Sequence, residues 1–103
     1  MKFNIELVTP ESLVVSGEVE MVVVPGSEGD FGVLAGHSPM ISSLRPGLVD
    51  IYDASTRITK RIFVSEGFAE VTKERCTILA RKAIDVTDQP EEAERLVKAA
   101  VAA

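Results

Sequence analysis

The sequence predicts a mainly β domain, either a sandwich or a closed barrel, that ends in one α-helix. Apolar and polar residues alternate along several segments, which is typical of half-buried strands. Gly and Pro pairs separate these short segments at regular spacing, as in all-β domains. After Val86 the apolar spacing changes to three and four residues, the period of a helix. We therefore divide the chain into a β domain, residues 1–86, and a C-terminal helix, residues 87–103.

The composition argues against several classes of protein. The 103 residues suit one domain, and the aromatic content of 5% predicts an aliphatic core. A net charge of −5 opposes binding to nucleic acids and to anionic membranes, which both favour a basic face. The single cysteine excludes an internal disulfide, and no apolar run reaches the ~18–20 residues that span a bilayer. The N-terminal residues lack the composition of a signal or transit peptide. We therefore expect the protein to lie on the cytosolic side of the membrane.

The alternation also assigns faces to the strands. Phe3, Ile5 and Leu7 share one face of the first strand. The same parity predicts that the next segment buries Leu13, Val15, Val19, Met21 and Val23.

The second half of the chain predicts a hairpin and two further strands. Leu48–Tyr52 and Ile58–Ser65 flank a polar turn at 53–57. Phe68–Thr72 forms the next strand, and Cys76–Val86 the last. The last strand is expected to bury Cys76, Ile78, Ala80, Ile84 and Val86.

Helix-start signals follow the last strand. Asp88 is the predicted N-cap, with Pro90 in the first turn and Glu91 three residues after the cap. Favourable i,i+4 ion pairs join Glu91 to Arg95 and Glu94 to Lys98. A lone helix of this length is marginal in water, so its apolar stripe needs a partner surface, most simply the β domain itself. The stripe consists of Ala93, Leu96, Val97, Ala100 and Val101.

The segment from Pro25 to Gly47 concentrates unusual residues. It holds five of the seven glycines, three of the five prolines and the only histidine. Glycine and proline force turns, while the interleaved apolar residues indicate ordered structure. We expect a compact set of loops and short strands on one edge of the β domain, and we expect the function to lie there.

Little in the sequence predicts catalysis. His37 with Asp30 and Ser38 is a weak triad-like set, because no nucleophile elbow or oxyanion-hole signal accompanies it. Glu28 and Asp30 with one histidine are too few ligands for a typical metal site. Cys76 is expected to be a small core residue. We therefore expect no catalytic residue, no cofactor and no metal.

The motifs of the chain occur in an order that resembles the epsilon subunits of bacterial F-type ATP synthases. The string P-G-x-x-G-x-F-G-V-L-x-x-H-x-P runs from Pro25 to Pro39, and L-x-P-G-x-V spans Leu44–Val49. F-V-x-x-G-F-x-E-V follows at Phe63–Val71, and F-N-I-E-L-V-T-P opens the chain at Phe3–Pro10. The resemblance covers residues 3–87 without large gaps.

This resemblance implies a flattened β-sandwich of about ten strands followed by a helical hairpin. Here only one helix fits, from Asp88 to about Ala102, so the hairpin is expected to be truncated. Inhibition of ATP hydrolysis and nucleotide contacts, which the family attributes to its hairpin, are therefore not carried over.

The resemblance also implies a non-catalytic rotor subunit. It would bind the gamma subunit and rest on the c-ring, so that rotation reaches gamma while catalysis occurs on other subunits. The location implied is peripheral, at the cytoplasmic face of the bacterial inner membrane, with no homo-oligomer. The residues carried over to the gamma and c-ring interface are Glu28, Gly29 and Asp30 in an acidic turn, and His37, Ser38, Pro39 and Met40. Phe31 and Leu34 remain ambiguous between core and contact.

Two other functions remain open at this stage. One is a free-standing β-sandwich module whose Gly-rich edge binds a small ligand or a peptide strand. The other is a small hydrolase built around His37.

Overall fold

A computed structural model describes residues 1–54 and 57–102, which form ten strands and one helix. The hairpin predicted around residues 53–57 forms, although Ser55 and Thr56 of its turn lie outside the described residues. The strands are β1 Phe3–Val8, β2 Leu13–Val19, β3 Met21–Gly26, β4 Gly29–Leu34, β5 Met40–Leu44, β6 Gly47–Ala54, β7 Arg57–Val64, β8 Gly67–Val71, β9 Arg75–Ala80 and β10 Ala83–Asp85, and the helix α1 spans Pro90–Ala102.

The strands form two five-stranded layers. One layer has the order β10-β7-β6-β3-β4, and the other has the order β5-β8-β9-β1-β2. The layers join where Gly26 of β3 pairs with Leu44 of β5. All pairs are antiparallel except β1 with β9. The predicted β-sandwich is confirmed.

The core between the layers is aliphatic, as the composition predicts. Phe3 is the one aromatic residue among the buried side chains of the described residues, and none of those buried side chains is polar. Alternate residues of each strand face inward, so the core is continuous along the sandwich. The largest fully buried side chains include Ile5, Leu7, Val22, Val24, Ile51, Ile62 and Ile78.

The parity predicted for the second strand is wrong beyond Val19. Val22 and Val24 are fully buried, whereas Met21 and Val23 are half-buried on the other face. The predicted strand is in fact two strands, β2 and β3, which lie in different layers and meet at a bend at Glu20. Because Glu20 lies in this bend, the residues that face the core change from odd-numbered positions in β2 to even-numbered positions in β3. Leu13, also predicted to be buried, is 56% exposed, because a register shift opposite Val14 separates it from the rest of β2.

The predicted strand Cys76–Val86 also divides between the layers. Its first part, β9, pairs with β1 and β8, while its last part, β10, pairs with β7. The chain crosses from one layer to the other at Arg81 and Lys82. Ile84 is consequently 44% exposed, in contrast to the prediction, while Val86 is buried as expected.

The helix α1 packs on the outer faces of β6 and β7, so its partner surface is the sandwich. Ala93 is buried, and Leu96 and Val97 are half-buried, in agreement with the predicted stripe. The carbonyl of Gln89 accepts the N–H of Ala93 at 2.9 Å, so the N-cap is Gln89 and not Asp88.

The ion pairs of the helix differ in part from those predicted. Glu94 pairs with Lys98 at 2.7 Å, as expected. Arg95, however, pairs with Glu92 instead of Glu91. Both arrangements place the acid N-terminal to the base, the favourable direction with respect to the helix dipole.

Hydrogen bonds at Thr87 anchor the segment that leads into the helix. The Thr87 hydroxyl donates to Asp85 Oδ1 at 2.5 Å and accepts the backbone N–H of Arg61 at 3.1 Å. The backbone N–H of Thr87 also donates to Asp85 Oδ1, at 2.9 Å. The hydrogen bond from the Thr87 side chain, with that from its backbone, lowers the pKa of the Asp85 carboxyl.

Gly67 marks the tightest backbone approach in the sandwich. A Cβ at this position would lie 1.9 Å from the Leu79 carbonyl oxygen of the neighbouring strand, and Gly67 has φ +158°. Gly32 contrasts with it, because a Cβ there would meet only the Met21 sulfur at 3.9 Å.

We expect Gly67→Ala to lower the free energy of unfolding by at least about 2 kcal/mol, because β8 and β9 must separate to admit the methyl group. Gly32→Ala is the matched control and should change it by about 0.5 kcal/mol or less. Urea unfolding followed by circular dichroism measures both. Equal stabilities of the two variants would contradict this account of the β8–β9 contact.

We expect Asp85→Asn to flatten the acid side of the stability profile. The pKa of Asp85 is lowered in the folded chain, so its stabilising contribution is complete at neutral pH and is lost as the pH falls below about 4. At pH 7 the variant should be about 0.5–1 kcal/mol less stable than the wild type, the usual value of one hydrogen bond. Between pH 6 and pH 2.5 it should lose less stability than the wild type.

Unfolding free energies across that pH range provide the measurement. Asp88→Asn is the control, since Asp88 is an exposed carboxylate outside the hydrogen bonds of Thr87. If Asp85→Asn and the wild type lost stability in parallel, the hydrogen bonds from Thr87 would not be the source of the acid sensitivity.

Candidate functional site

The predicted acidic turn is the tip of the β3–β4 hairpin. Ser27 and Glu28 form a two-residue turn closed by the pair Gly26–Gly29. Gly29 adopts φ +131°, a conformation that few other residues tolerate. A Cβ on Gly26 would lie 2.8 Å from the Gly29 carbonyl oxygen and 2.9 Å from the Phe31 ring. The two glycines therefore allow the tip to be tight, and Glu28 is exposed on it.

Arg45 braces this tip from the neighbouring loop. Its Nη1 donates to the Gly26 carbonyl at 2.6 Å, and its Nη2 donates to Asp30 Oδ1 at 2.5 Å. Asp30 is therefore neutralised by an internal ion pair. Glu28 makes no ion pair with any described residue, so it is the acid of this turn that is available to a cationic partner.

The second group of predicted residues forms the loop after β4. The backbone N–H of His37 donates to the Leu34 carbonyl at 3.1 Å. The ring atom Nδ1 of His37 lies 2.6 Å from the Ser38 carbonyl. A carbonyl can only accept, so this bond requires a proton on Nδ1. His37 and Met40 are half-buried, while Ser38 and Pro39 are exposed.

These two groups do not form one cluster. Gly29 begins β4 and Leu34 ends it, so the acidic tip and the His37 loop are about 17 Å apart along the strand. They flank the same feature, because β4 pairs only with β3 and is an edge strand of its layer. The site that the structure supports is therefore an edge, which we call the β4 edge, residues 28–40.

The positions of the side chains exclude the triad-like set of Asp30, His37 and Ser38. Asp30 is bound to Arg45 at the far end of β4 from His37, and the His37 Nδ1 proton is directed to a backbone carbonyl. Burial raises the pKa of the Cys76 thiol to about 12, so it is a poor nucleophile. Across residues 1–54 and 57–102, no three His, Cys, Asp or Glu side chains are placed to hold a metal ion.

Phe31 and Leu34, which the sequence analysis left open between the core and a gamma contact, differ in burial. Phe31 is half-buried and packs against the core, whereas Leu34 is 57% exposed on the outer face of its layer. Leu34 therefore belongs to the β4 edge and Phe31 to the core.

A second surface, which the sequence analysis missed, crosses the outer face of the other layer. Four apolar residues on four adjacent strands lie in one row, because Phe68 pairs with Leu79, Leu79 with Val8, and Val8 with Leu13. Phe68, Leu79 and Leu13 are each more than half exposed. We call Leu13, Val8, Leu79 and Phe68 the apolar row.

A groove of about 650 Å³ runs along this row. Val8, Phe68 and Leu79 line it, and the ion pair between Glu66 and Arg81, at 3.3 Å, lies at its rim. Exposed apolar groups in adjacent positions are typical of surfaces that bind another molecule. The sequence carried a signal for it, since Ile78, Leu79 and Ala80 are consecutive and one face of a strand cannot bury all three.

Comparison with known proteins assigns the chain to a family. A sequence model described as "ATP synthase, Delta/Epsilon chain, beta-sandwich domain" matches residues 2–86. The chain belongs to this family. The predicted resemblance to the epsilon subunit is therefore confirmed.

Two curated relatives, both named ATP synthase epsilon chain, illustrate the similarity. The chain is 58% identical to that of Rhodospirillum centenum over 86 residues, which are 82% of this chain and 59% of the relative. It is 52% identical to that of Rhodospirillum rubrum over 90 residues, which are 87% of this chain and 66% of the relative. The chain thus spans about three fifths to two thirds of the length of these relatives.

Two solved structures share the fold. A chain of the Euglena gracilis mitochondrial ATP synthase, in a structure titled OSCP/F1/c-ring, superposes with a TM-score of 0.78 at 24% identity and covers 95% of this chain and 61% of that one. A chain of the Tetrahymena thermophila mitochondrial ATP synthase, titled central stalk/cring, gives 0.69 at 16% identity and covers 82% and 67%. In the part of the chain that the structure describes, the helix is too short and too polar to cross a bilayer.

Proposed function

We propose that this chain is a non-catalytic rotor subunit of a proton-translocating F-type ATP synthase. The single observation that carries the proposal is the family match over residues 2–86, with curated relatives named ATP synthase epsilon chain. The titles of the two similar structures, which name the c-ring and the central stalk, support the same assembly. The chain would couple rotation of the c-ring to gamma, and ATP would form on other subunits.

The two surfaces suit two partners. The apolar row is the proposed contact with gamma, because a permanent partner can bury Phe68, Leu79 and Leu13 without leaving polar groups unpaired. The β4 edge is the proposed contact with the c-ring, where the free carboxylate of Glu28 would meet cationic or polar loops. The surfaces belong to different layers, so one rigid body could bind both partners at once.

The interface residues proposed from the sequence keep their place in this scheme, with one change of role. Glu28 and Gly29 form the contact tip, and His37, Ser38, Pro39 and Met40 form the other end of the edge. Asp30 braces the tip through Arg45 and does not serve as a direct cationic contact. The proposed location is peripheral, at the cytoplasmic face of the bacterial inner membrane, and the chain holds no cofactor.

The test of the assembly is co-purification. A tagged chain expressed with its cognate gamma subunit should elute from size exclusion as a stoichiometric complex. A folded monomer that ignores gamma would contradict the proposal and favour the free-standing binding module, whose site would then be the groove of about 650 Å³.

We expect Phe68→Asp to weaken the gamma complex by at least about 30-fold. A buried aromatic anchor contributes about 2 kcal/mol or more at an interface, and a carboxylate in its place would be desolvated without a partner. The isolated domain should remain folded, because Phe68 is 56% exposed. Ile84→Asp is the control, since Ile84 is 44% exposed on the other layer. Equal losses for both variants would remove the apolar row from the proposed interface.

We expect Glu28→Lys to weaken binding to the c-ring by about three- to ten-fold at low ionic strength, with the difference shrinking as salt is added. Glu18→Lys, on the edge strand β2, is an exposed control with the same change of charge. Titration of gamma-loaded chain against c-ring in detergent at two salt concentrations provides the affinities. A deficit that is insensitive to salt, or one shared by Glu18→Lys, would argue against a direct charge contact at Glu28.

A further inference from the structure

The β4 edge presents unpaired backbone groups. The N–H of Arg45 donates to the Pro25 carbonyl at 3.0 Å, so the main chain of Pro25 faces β5 and β6 and not β4. In an antiparallel ladder, Asp30 opposite Pro25 must then turn its own N–H and C=O away from β3. The alternation of the ladder repeats this orientation at Gly32 and Leu34. Three successive N–H groups therefore point out of the sheet edge.

This edge lacks the protection that the edge strands β2 and β10 carry. β2 has a register shift opposite Val14 and a charged residue, Glu18, and β10 is only three residues long. Such features are the usual defence of an edge strand against pairing with another chain. β4 reads Gly-Asp-Phe-Gly-Val-Leu, pairs with β3 without a register shift, and contains no lysine, arginine or proline; its one charged residue, Asp30, is bound to Arg45. At Gly32 the outer face of the sheet is open, with the Met21 sulfur 3.9 Å from a built Cβ.

A side-chain depression adjoins one end of the same edge. It measures about 320 Å³ and is lined by Met1, Glu20, Met21, Leu34 and Ala35. An added strand would place alternate side chains over this face of the sheet, so one of its apolar residues would fill the depression.

The charges around the edge indicate what can bind there. Glu28 lies at one end of β4 and Glu20 lies by Leu34 at the other. The Glu20 carboxylate already lies 3.6 Å from the Met1 ammonium, so Glu28 is the acid of the two that makes no ion pair with a described residue. Each copy of the chain carries a net charge of −5, so two copies would repel one another on pairing through β4. A second copy is therefore disfavoured, and a segment with a cationic residue at the Glu28 end is favoured.

We propose that the β4 edge binds an extended segment of a partner protein by strand addition. The segment has an apolar residue for the Leu34 depression and lysine or arginine toward Glu28, and its main-chain carbonyls accept the N–H groups of Asp30, Gly32 and Leu34. The inference rests on the proposed function for the place where this partner is found, namely the gamma and c-ring assembly. It adds the mode of contact and the chemistry of the segment.

The test uses a proline at the outward-facing position. Gly32→Pro removes an N–H that makes no bond within the sheet, and Gly32→Ala retains that N–H in an open space. The probe is the cognate gamma–c-ring assembly purified without this subunit. We expect wild type and Gly32→Ala to bind it equally and Gly32→Pro to bind at least about ten-fold more weakly, the loss of roughly one main-chain hydrogen bond.

Amide hydrogen exchange of the wild-type chain makes the test independent of whether Gly32→Pro folds. On binding the assembly, the amides of Asp30, Gly32 and Leu34 should slow by at least ten-fold. If wild type binds while these amides keep their exchange rates, strand addition is wrong and the proposed function stands. If the wild-type chain does not bind the assembly, both strand addition and the proposed function are wrong. If these amides exchange slowly in the chain alone, and the chain forms a dimer at high concentration, the segment that binds the β4 edge is a second copy of this chain and not a partner protein.

Discussion

The apolar core between the two layers is the constraint on which the rest of this domain depends. Its buried side chains are apolar throughout the described residues, so the interior offers no group that could act as an acid, a base or a ligand. The one titratable exception, Cys76, stays protonated because burial raises its pKa to about 12. The candidate functional residues therefore lie on the surface. A close-packed core of this kind also resists deformation.

The Gly- and Pro-rich segment matters because it shapes the β4 edge, not because it supplies reactive groups. Gly26 and Gly29 let the hairpin turn within two residues, and Arg45 then ties both strands of the hairpin together. The consequence is a tip whose one unpaired acid, Glu28, is held on a stiff support. An exposed ion pair such as Arg45–Asp30 contributes little to global stability, so its value lies in orientation.

The helix α1 covers part of the layer that carries the β4 edge. It lies on β6 and β7 and leaves the edge itself open, and the apolar row is on the opposite layer. The helix therefore occupies one face of the domain and leaves the β4 edge and the apolar row exposed. Thr87, bonded to Asp85 and to the backbone of Arg61, fixes the point at which the chain leaves the sandwich for the helix.

The sequence by itself determined the β class, the alternating strand faces near the N-terminus, the apolar stripe of the helix, and the family to which residues 2–86 belong. These features depend on local periodicity and on motif order, which are properties of neighbouring residues. Only the tertiary structure decided where continuous apolar runs change layer, as at Glu20 and between Arg81 and Lys82, because a single bend reverses parity without changing composition. It also decided that Asp30 is paired while Glu28 is free, and that Leu13, Leu79 and Phe68 meet in one row. Those relations join residues far apart in the chain, and only the pairing of the strands brings them together.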